Sequence, residues 1–325
     1  MLSLSNKNVM VTGGAGFIGS HLVDALIKEN PANLVAVDNM FLGQKENLGQ
    51  AFDQCPSLAL IEQDASQYDP MESIIRQYGI EVIFNLAVIP LPTSLERPKW
   101  TVDHNISITT TLCELARKKE FQTLIHFSSS EAYGSAVSAP MSEEHILSPT
   151  TPYAASKAAD DHIVLSFCET FNIDAAILRP FNNYGPRQND KAYAGIIPIV
   201  INRVLRNEPI EIFGDGEQTR DFIYVKDTAQ AAAAMYQSAQ TRGQITNAAS
   251  GREISVNQLV TTLLEILEAK KHPVVHVDPR PGDVRRHCGS IEKARNLFDF
   301  NPHTDISDGL KATADWYLKK IAGKR

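Results

Sequence analysis

An apolar run, Val9-Met10-Val11-Thr12, passes directly into Gly13-Gly14-Ala15-Gly16-Phe17-Ile18-Gly19, and from there into an amphipathic stretch ending near Lys28. Few folds accommodate that order. The run is short and β-branched, as a buried strand is, and the stretch after it has helical periodicity. Gly13, Gly16 and Gly19 fall in the turn between them. There the missing Cβ permits a tight reversal and brings a pyrophosphate close to free backbone N–H groups at the helix start. Strand, loop and helix together predict a dinucleotide loop in a parallel α/β sheet, with Phe17 and Ile18 beside the ligand.

The rest of the first half repeats the alternation. Apolar runs at Asn33–Asp38, Leu58–Ile61, Val82–Leu86, Thr123–Ser128 and Ile173–Leu178 predict strands. Helical patterns at Phe17–Lys28, Met71–Tyr78, Ile106–Lys119 and Tyr153–Phe171 lie between them. This is the signature of a Rossmann-type, doubly wound parallel sheet covered on both faces. After Arg179-Pro180 the pattern changes to an Asn/Gly/Pro-rich loop, then helices near Ile196–Arg206, Val256–Glu268 and Asp308–Lys319. Short strands are expected at Glu211–Phe213 and Arg220–Val225, with an extended piece at Pro273–Val277. The division is therefore residues 1–180 for the dinucleotide domain, with 225–250 returning to it. Residues 181–224 and 251–325 form a smaller α/β substrate lobe.

Asp38 closes the second strand, 19 positions after Gly19. A carboxylate there accepts from both ribose hydroxyls and repels a 2′-phosphate, which selects NAD over NADP. Asp38-Asn39 is also ordinary turn chemistry. Asp64, after the third strand, is a candidate for the adenine side.

With 43% hydrophobic residues in 325, the chain can bury a large core, and a net charge of -7 offers no basic face for nucleic acid. Its four cysteines are scattered, with no metal-ligand spacing, so reduced thiols in a cytoplasmic protein and no metal site are expected. The N-terminus lacks the charged and apolar regions of a secretory leader, and no run is long enough to span a membrane.

Tyr153 and Lys157 stand four positions apart, on one face of a helix. A phenol titrates near 10 and is a poor base at neutral pH. A neighbouring ammonium favours its phenolate, which can take a hydroxyl proton while hydride leaves for nicotinamide. The plain alternative is a surface pair. Ser128-Ser129-Ser130-Glu131 ends the fifth strand, where parallel sheets place ligands. Ser129 can bond the hydroxyl being oxidised. Alcohol oxidation alone needs no carboxylate, so Glu131 points to a second step, unless it is a solvated loop charge.

These features together resemble the extended short-chain dehydrogenase/reductase family, specifically the NAD-dependent epimerases and dehydratases of nucleotide sugars. The likeness includes Gly13–Gly19, Asn85-Leu86-Ala87, Asn105, Ser128–Gly134 and the Tyr153/Lys157 pair. It continues through Arg179–Arg187, Gly214–Tyr224 and Arg280–Arg286. It implies a bound NAD, contacted also by Ala87 and Lys157, and a UDP-sugar substrate held by Asn182, Arg187, Arg220 and Arg286, with Arg285 an alternative to Arg286. The Ile210–Phe213 strand is the edge implied to meet the base. The helices Ile106–Lys119 and Tyr153–Phe171 match those that pair subunits, implying a homodimer.

Within the family, Ser-Ser-Ser-Glu-Ala-Tyr-Gly is close to the 4,6-dehydratase and sugar-acid decarboxylase pattern, and simple 4-epimerases usually lack the glutamate. Many dehydratases carry Asp where this chain has Ser130, so Glu131 or a water must protonate the leaving hydroxyl. Decarboxylases carry an arginine at the position of His287. The apolar Val88–Ser94 segment suits a C6 carbon losing oxygen. The resulting reading is a UDP-hexose 4,6-dehydratase, with UDP-N-acetylglucosamine the candidate substrate. A UDP-sugar 4-epimerase and a UDP-glucuronate decarboxylase are the alternatives in the family. A non-catalytic dinucleotide-binding sensor is the alternative of another class.

Overall fold

Short β-branched runs that alternate with amphipathic helices bury both faces only by stacking as parallel strands between helical layers. A computed structural model, which describes residues 1–190, 195–279 and 285–322, shows this arrangement. In chain order the first half runs β1 (Asn8–Thr12), α1 (Phe17–Ile27), β2 (Asn33–Asp38), α2 (Gly49–Gln54), β3 (Ala59–Glu62), α3 (Tyr68–Tyr78) and β4 (Val82–Asn85). It continues with α4 (Leu91–Glu96), α5 (Pro98–Arg117), β5 (Thr123–Phe127), α6 (Pro152–Phe171) and β6 (Asp174–Pro180). The second half is β7 (Asn182–Tyr184), α7 (Ile196–Leu205), β8 (Ile210–Phe213), β9 (Thr219–Arg220), β10 (Phe222–Tyr224) and α8 (Val225–Gln237). It closes with β11 (Ile245–Ala248), β12 (Ile254–Ser255), α9 (Val256–Ile266), β13 (Val274–Val277), α10 (Glu292–Phe298) and α11 (Ile306–Ala322).

The main sheet has seven strands in the order β11-β6-β5-β4-β1-β2-β3, and its ladders are parallel. Strand order reverses between β1 and β4, so a crevice opens at the carboxyl ends of these strands. The α1 and α8 helices cover one face, with Val9, Val11, Phe84 and Phe127 in that core. The other face, carrying Met10, Ile83 and Leu124, packs against α3, α5 and α6. A separate core, built from α7, β8, α9 and α11, holds Ile201, Ile212, Leu259 and Tyr317.

Three local expectations change. The run Arg220–Val225 is two short strands rather than one. Asp221, fully buried between them, accepts from Ser250 N and Oγ at 2.7 and 2.6 Å, Gly251 N at 3.0 Å and Gly289 N at 3.1 Å. Around this anchor β9 pairs antiparallel with β12, while β10 pairs parallel with β7. The long helix starts at Pro98 rather than Ile106, and part of the Val88–Ser94 loop is the short helix α4. Proline is compatible with the first turn of each.

Candidate active site

The crevice above the β1–β4 reversal is a cleft of about 370 Å³ lined by Gly13, Gly16, Phe17, Ile18 and Gly19 along one wall. Gly13 has φ of +69°, a region open to glycine. At Gly19 a Cβ would lie 2.1 Å from Gly13 O. Gly16 caps α1 without any side-chain acceptor, and the first turn contains no acidic residue. Its N–H groups therefore face the cleft with their positive dipole end available to a diphosphate. Substituting Gly19→Ala must move the loop: purified protein should retain little NAD, and stability should fall by about 1–3 kcal/mol in denaturant titration.

Asp38 also lines the cleft, beside the glycine loop, and is buried. Its carboxylate accepts from Ala15 N at 3.0 Å and Met40 N at 2.9 Å, so it ties the glycine loop to the turn after β2. Asp64 also lines the cleft, held by Ser66 N at 2.9 Å and 3.3 Å from His104 Nε2. Ala87 completes the floor, its N–H 3.4 Å from Thr12 Oγ1. These groups fit NAD: a helix start with free N–H groups, a buried carboxylate and an apolar floor.

At the inner end of the cleft stand Ser129, Tyr153 and Lys157. Pro152 opens α6, and Thr151 Oγ1 caps it by accepting from Ala154 N at 3.1 Å, which fixes Tyr153 and Lys157 in the first turns. Ser129 caps a 3₁₀ turn, Ser130–Tyr133, by accepting from Glu131 N at 3.2 Å. It also hydrogen-bonds Tyr153, and Glu131 lies close enough for its charge to act on the phenol. Ser130 is buried beside it. Burial pushes the Tyr153 phenol up, with Glu131 adding to the rise, while Lys157 and the Ser129 hydrogen bond oppose it. Lys157 thus favours the phenolate, as anticipated, yet burial outweighs it in net. Burial pulls the Lys157 ammonium down, but Asp160, 3.0 Å from Nζ, holds it above its ordinary value.

A second cleft of about 530 Å³ is lined by Asn182, Arg220, Gln218 and residues of α7 and β8. Asn183 lines both clefts and joins them. The structure brings Asn182 and Arg220 to this site and holds the other two expected substrate contacts elsewhere. Arg187 Nη1 lies 2.8 Å from Asp24 on α1. Arg286 is clamped on Glu253 at 2.6 and 3.1 Å, and Arg285 on Asp215 at 2.8 Å. Neither Arg187 nor Arg286 lines either cleft. Residues 280–284 of the family motif lie outside the described residues.

Three histidines went unnoticed as a group in the sequence. Burial drives His21 to about 3 and His287 to about 4, and it holds His126 well below 6.5. His21 Nε2 meets Pro186 O at 2.9 Å, and His287 Nε2 meets Ser130 O at 3.3 Å. The unfolded chain takes up protons near 6.5 that the folded chain refuses, so stability falls with pH below that value. Between about pH 7 and about pH 5.5 His21 and His287 should each cost about 1 kcal/mol, or about 2–3 kcal/mol together, and His126 acts in the same direction. Urea midpoints at the two pH values check this.

A family model for the NAD dependent epimerase/dehydratase family matches residues 9–249. The UDP-glucose 4-epimerase of Mycolicibacterium smegmatis is 32% identical over 313 residues, 96% of this chain and 98% of that protein. The crystal structure of UDP-glucose 4-epimerase with UDP-glucose from Thermotoga maritima superposes with a TM-score of 0.90 at 34% identity, covering 97% and 99% of the two chains. A dTDP-glucose 4,6-dehydratase from Streptomyces venezuelae, solved with NAD, gives 0.90 at 28% identity, covering 97% and 98%. The chain belongs to the NAD-dependent epimerase/dehydratase family, and it is an NAD enzyme of that family. No described helix is long and apolar enough to cross a membrane.

Proposed function

We propose that this protein is a UDP-hexose 4,6-dehydratase, with UDP-N-acetylglucosamine as its candidate substrate. The observation that supports it is the place of Glu131, which follows Ser129 in the 3₁₀ turn and lies close enough to Tyr153 for its charge to raise the phenol. Bound NAD supplies the hydride acceptor and later donor. Tyr153 takes the C4 hydroxyl proton as the C4 hydride departs, with Ser129 orienting the hydroxyl and Lys157 steadying the phenolate. The C4 ketone acidifies the C5 proton, and Glu131 accepts it. The C6 hydroxyl then leaves as water, with its proton from Glu131 or a water because Ser130 is too weak an acid. Hydride returned to C6 and a proton regained at C5 give a 4-keto-6-deoxy sugar, and the net change is loss of one water.

Asn182 and Arg220 in the second cleft are the proposed diphosphate contacts. Arg220's fork suits paired phosphate oxygens. Asp38 is the proposed ribose acceptor. Arg187 and Arg286 would serve only after leaving their carboxylate partners. The proposal keeps the homodimer, through the outer faces of α5 and α6, and the cytoplasmic setting. A UDP-sugar 4-epimerase is the second reading, favoured by the relatives at 32–34% identity. The test offers UDP-N-acetylglucosamine, UDP-glucose and UDP-glucuronate without added NAD and reads product masses. Loss of water is the expected result. Loss of carbon dioxide from the glucuronate, or an unchanged mass with an altered sugar NMR spectrum, would overturn it.

A further inference from the structure

The first cleft crosses the carboxyl ends of neighbouring strands. Ser129 stands after β5, Ala87 after β4, Gly13 after β1, Asp38 at the end of β2 and Asp64 after β3. A dinucleotide with its nicotinamide at Tyr153 and its diphosphate at the start of α1 extends its adenosine half toward β2 and β3. Phe41, on the loop after β2, and His104, on α5, both line that end. Trp100 is not part of the lining, yet it touches both rings. Its ring centre lies 5.6 Å from that of Phe41, edge-on at 66°, and 5.4 Å from that of His104 at 36°. Trp100 and His104 share a face of α5 through their spacing of four. Arg97, at the helix start, lays its guanidinium 4.3 Å from the centre of the indole.

The two sides of this contact are held differently. Helix α5 is fixed by Ile108, Leu112 and Leu115 in the core under the sheet. His104 Nε2 lies 3.3 Å from Asp64 Oδ1, which also accepts from Ser66 N at 2.9 Å. The loop after β2 is tied only near its ends. Asp38 Oδ1 accepts from Met40 N at 2.9 Å, Asn39 Oδ1 accepts from Phe41 N at 3.1 Å, and Gln44 N donates to Ala15 O at 3.0 Å. Between these anchors the tip stays out of the core, with Phe41 41% and Leu42 38% exposed. A ring left this open has little burial to hold it, so the contact with Trp100 sets where Phe41 stands.

We infer that Phe41, Trp100 and His104 form an aromatic clasp across the adenosine end of the cleft, with Trp100 as its positioning residue, and that its opening limits the departure of NAD. Phe41 is the part that swings. The inference rests on NAD lying in this cleft. It is the same for a dehydratase and an epimerase, since both regenerate the cofactor they begin with.

The test is cofactor exchange. The protein loaded with NAD is mixed with excess NADH, and the anisotropy of the nicotinamide fluorescence is followed as NADH becomes bound. Two ring contacts and one cation contact go with the indole, so Trp100→Ala should release NAD about tenfold faster. Trp100→Phe keeps a ring in place and should stay within about threefold of the wild type. Phe41→Ala should speed release at least as much as Trp100→Ala, and combining the two should bring little more, because the indole acts through Phe41. Wild-type release in Trp100→Ala, equal acceleration by Trp100→Ala and Trp100→Phe, or effects that multiply in the double variant would each overturn the inference. Arg97→Ala keeps the test open where Trp100→Ala misfolds, since this side chain is exposed and its loss leaves the fold intact. Release should then quicken about two- to fivefold, and an unchanged rate contradicts the inference. Failure of the cofactor site itself would show differently, as full NAD content in Gly19→Ala.

Discussion

Replacing Tyr153 by phenylalanine should slow formation of reduced nicotinamide by about 10²–10⁴-fold, the usual weight of one acid–base group. The ring and its packing in α6 are kept, so NAD content and thermal midpoint should match the wild type. The size of the effect follows from the lack of a substitute. Ser129 is a weaker base than a phenolate, Lys157 is held charged by Asp160, and the Glu131 charge raises the phenol rather than standing in for it. Near-ultraviolet absorbance of the reduced cofactor, followed after rapid mixing with the UDP-sugar, reads this step alone. Oxidation at the wild-type rate in Tyr153→Phe would remove Tyr153 from the proton transfer.

Glu131→Gln should behave in the opposite way. Loss of water should fall by about 10²–10⁴-fold, because glutamine keeps the shape of the side chain but cannot take the C5 proton. C4 oxidation should persist, and the reduced cofactor should accumulate with the ketone beside it. The sign of the pH effect is fixed too. The Glu131 charge holds the Tyr153 phenol up, so its removal lets the phenolate form more easily. The pH profile of C4 oxidation should therefore move toward acid. Full dehydration by Glu131→Gln would refute the assignment of the second base.

The dinucleotide half was legible because its constraints are local. Gly13 and Gly19 obey steric limits that hold wherever a strand meets a helix in this way, and Asn8–Thr12 and Asn33–Asp38 end where their polar caps begin. Tyr153 and Lys157 share a helix face, so their meeting needed only the helical period. The pairing of Lys157 with His126 was not legible, since it depends on which strands neighbour each other. His126 is one polar residue in an apolar strand, and only the order β1-β4-β5 puts Thr12, Asn85 and Lys157 around it. The ion pairs of Arg187 and Arg286 were not legible for a related reason. Their motif positions were recognised, but Asp24 and Glu253, which hold them in ion pairs, lie far away in the sequence. The split of Arg220–Val225 likewise follows from distant partners, the backbone N–H groups of Ser250, Gly251 and Gly289 that gather on Asp221. Helix α4 escaped notice because Pro90 and Pro92 read as loop chemistry, although proline is compatible with a first turn.

Dehydration and epimerisation share the removal of hydride from C4 and differ in where it returns. Tracing that hydrogen is the most direct test of the central claim. UDP-N-acetylglucosamine carrying deuterium at C4 would be incubated with the enzyme as purified, and the product sugar examined by NMR. A 4,6-dehydratase built as described delivers the deuterium to a new C6 methyl group, with one water lost. Deuterium found again at C4, on the opposite face and with every oxygen retained, would make the enzyme an epimerase and leave Glu131 without its assigned role.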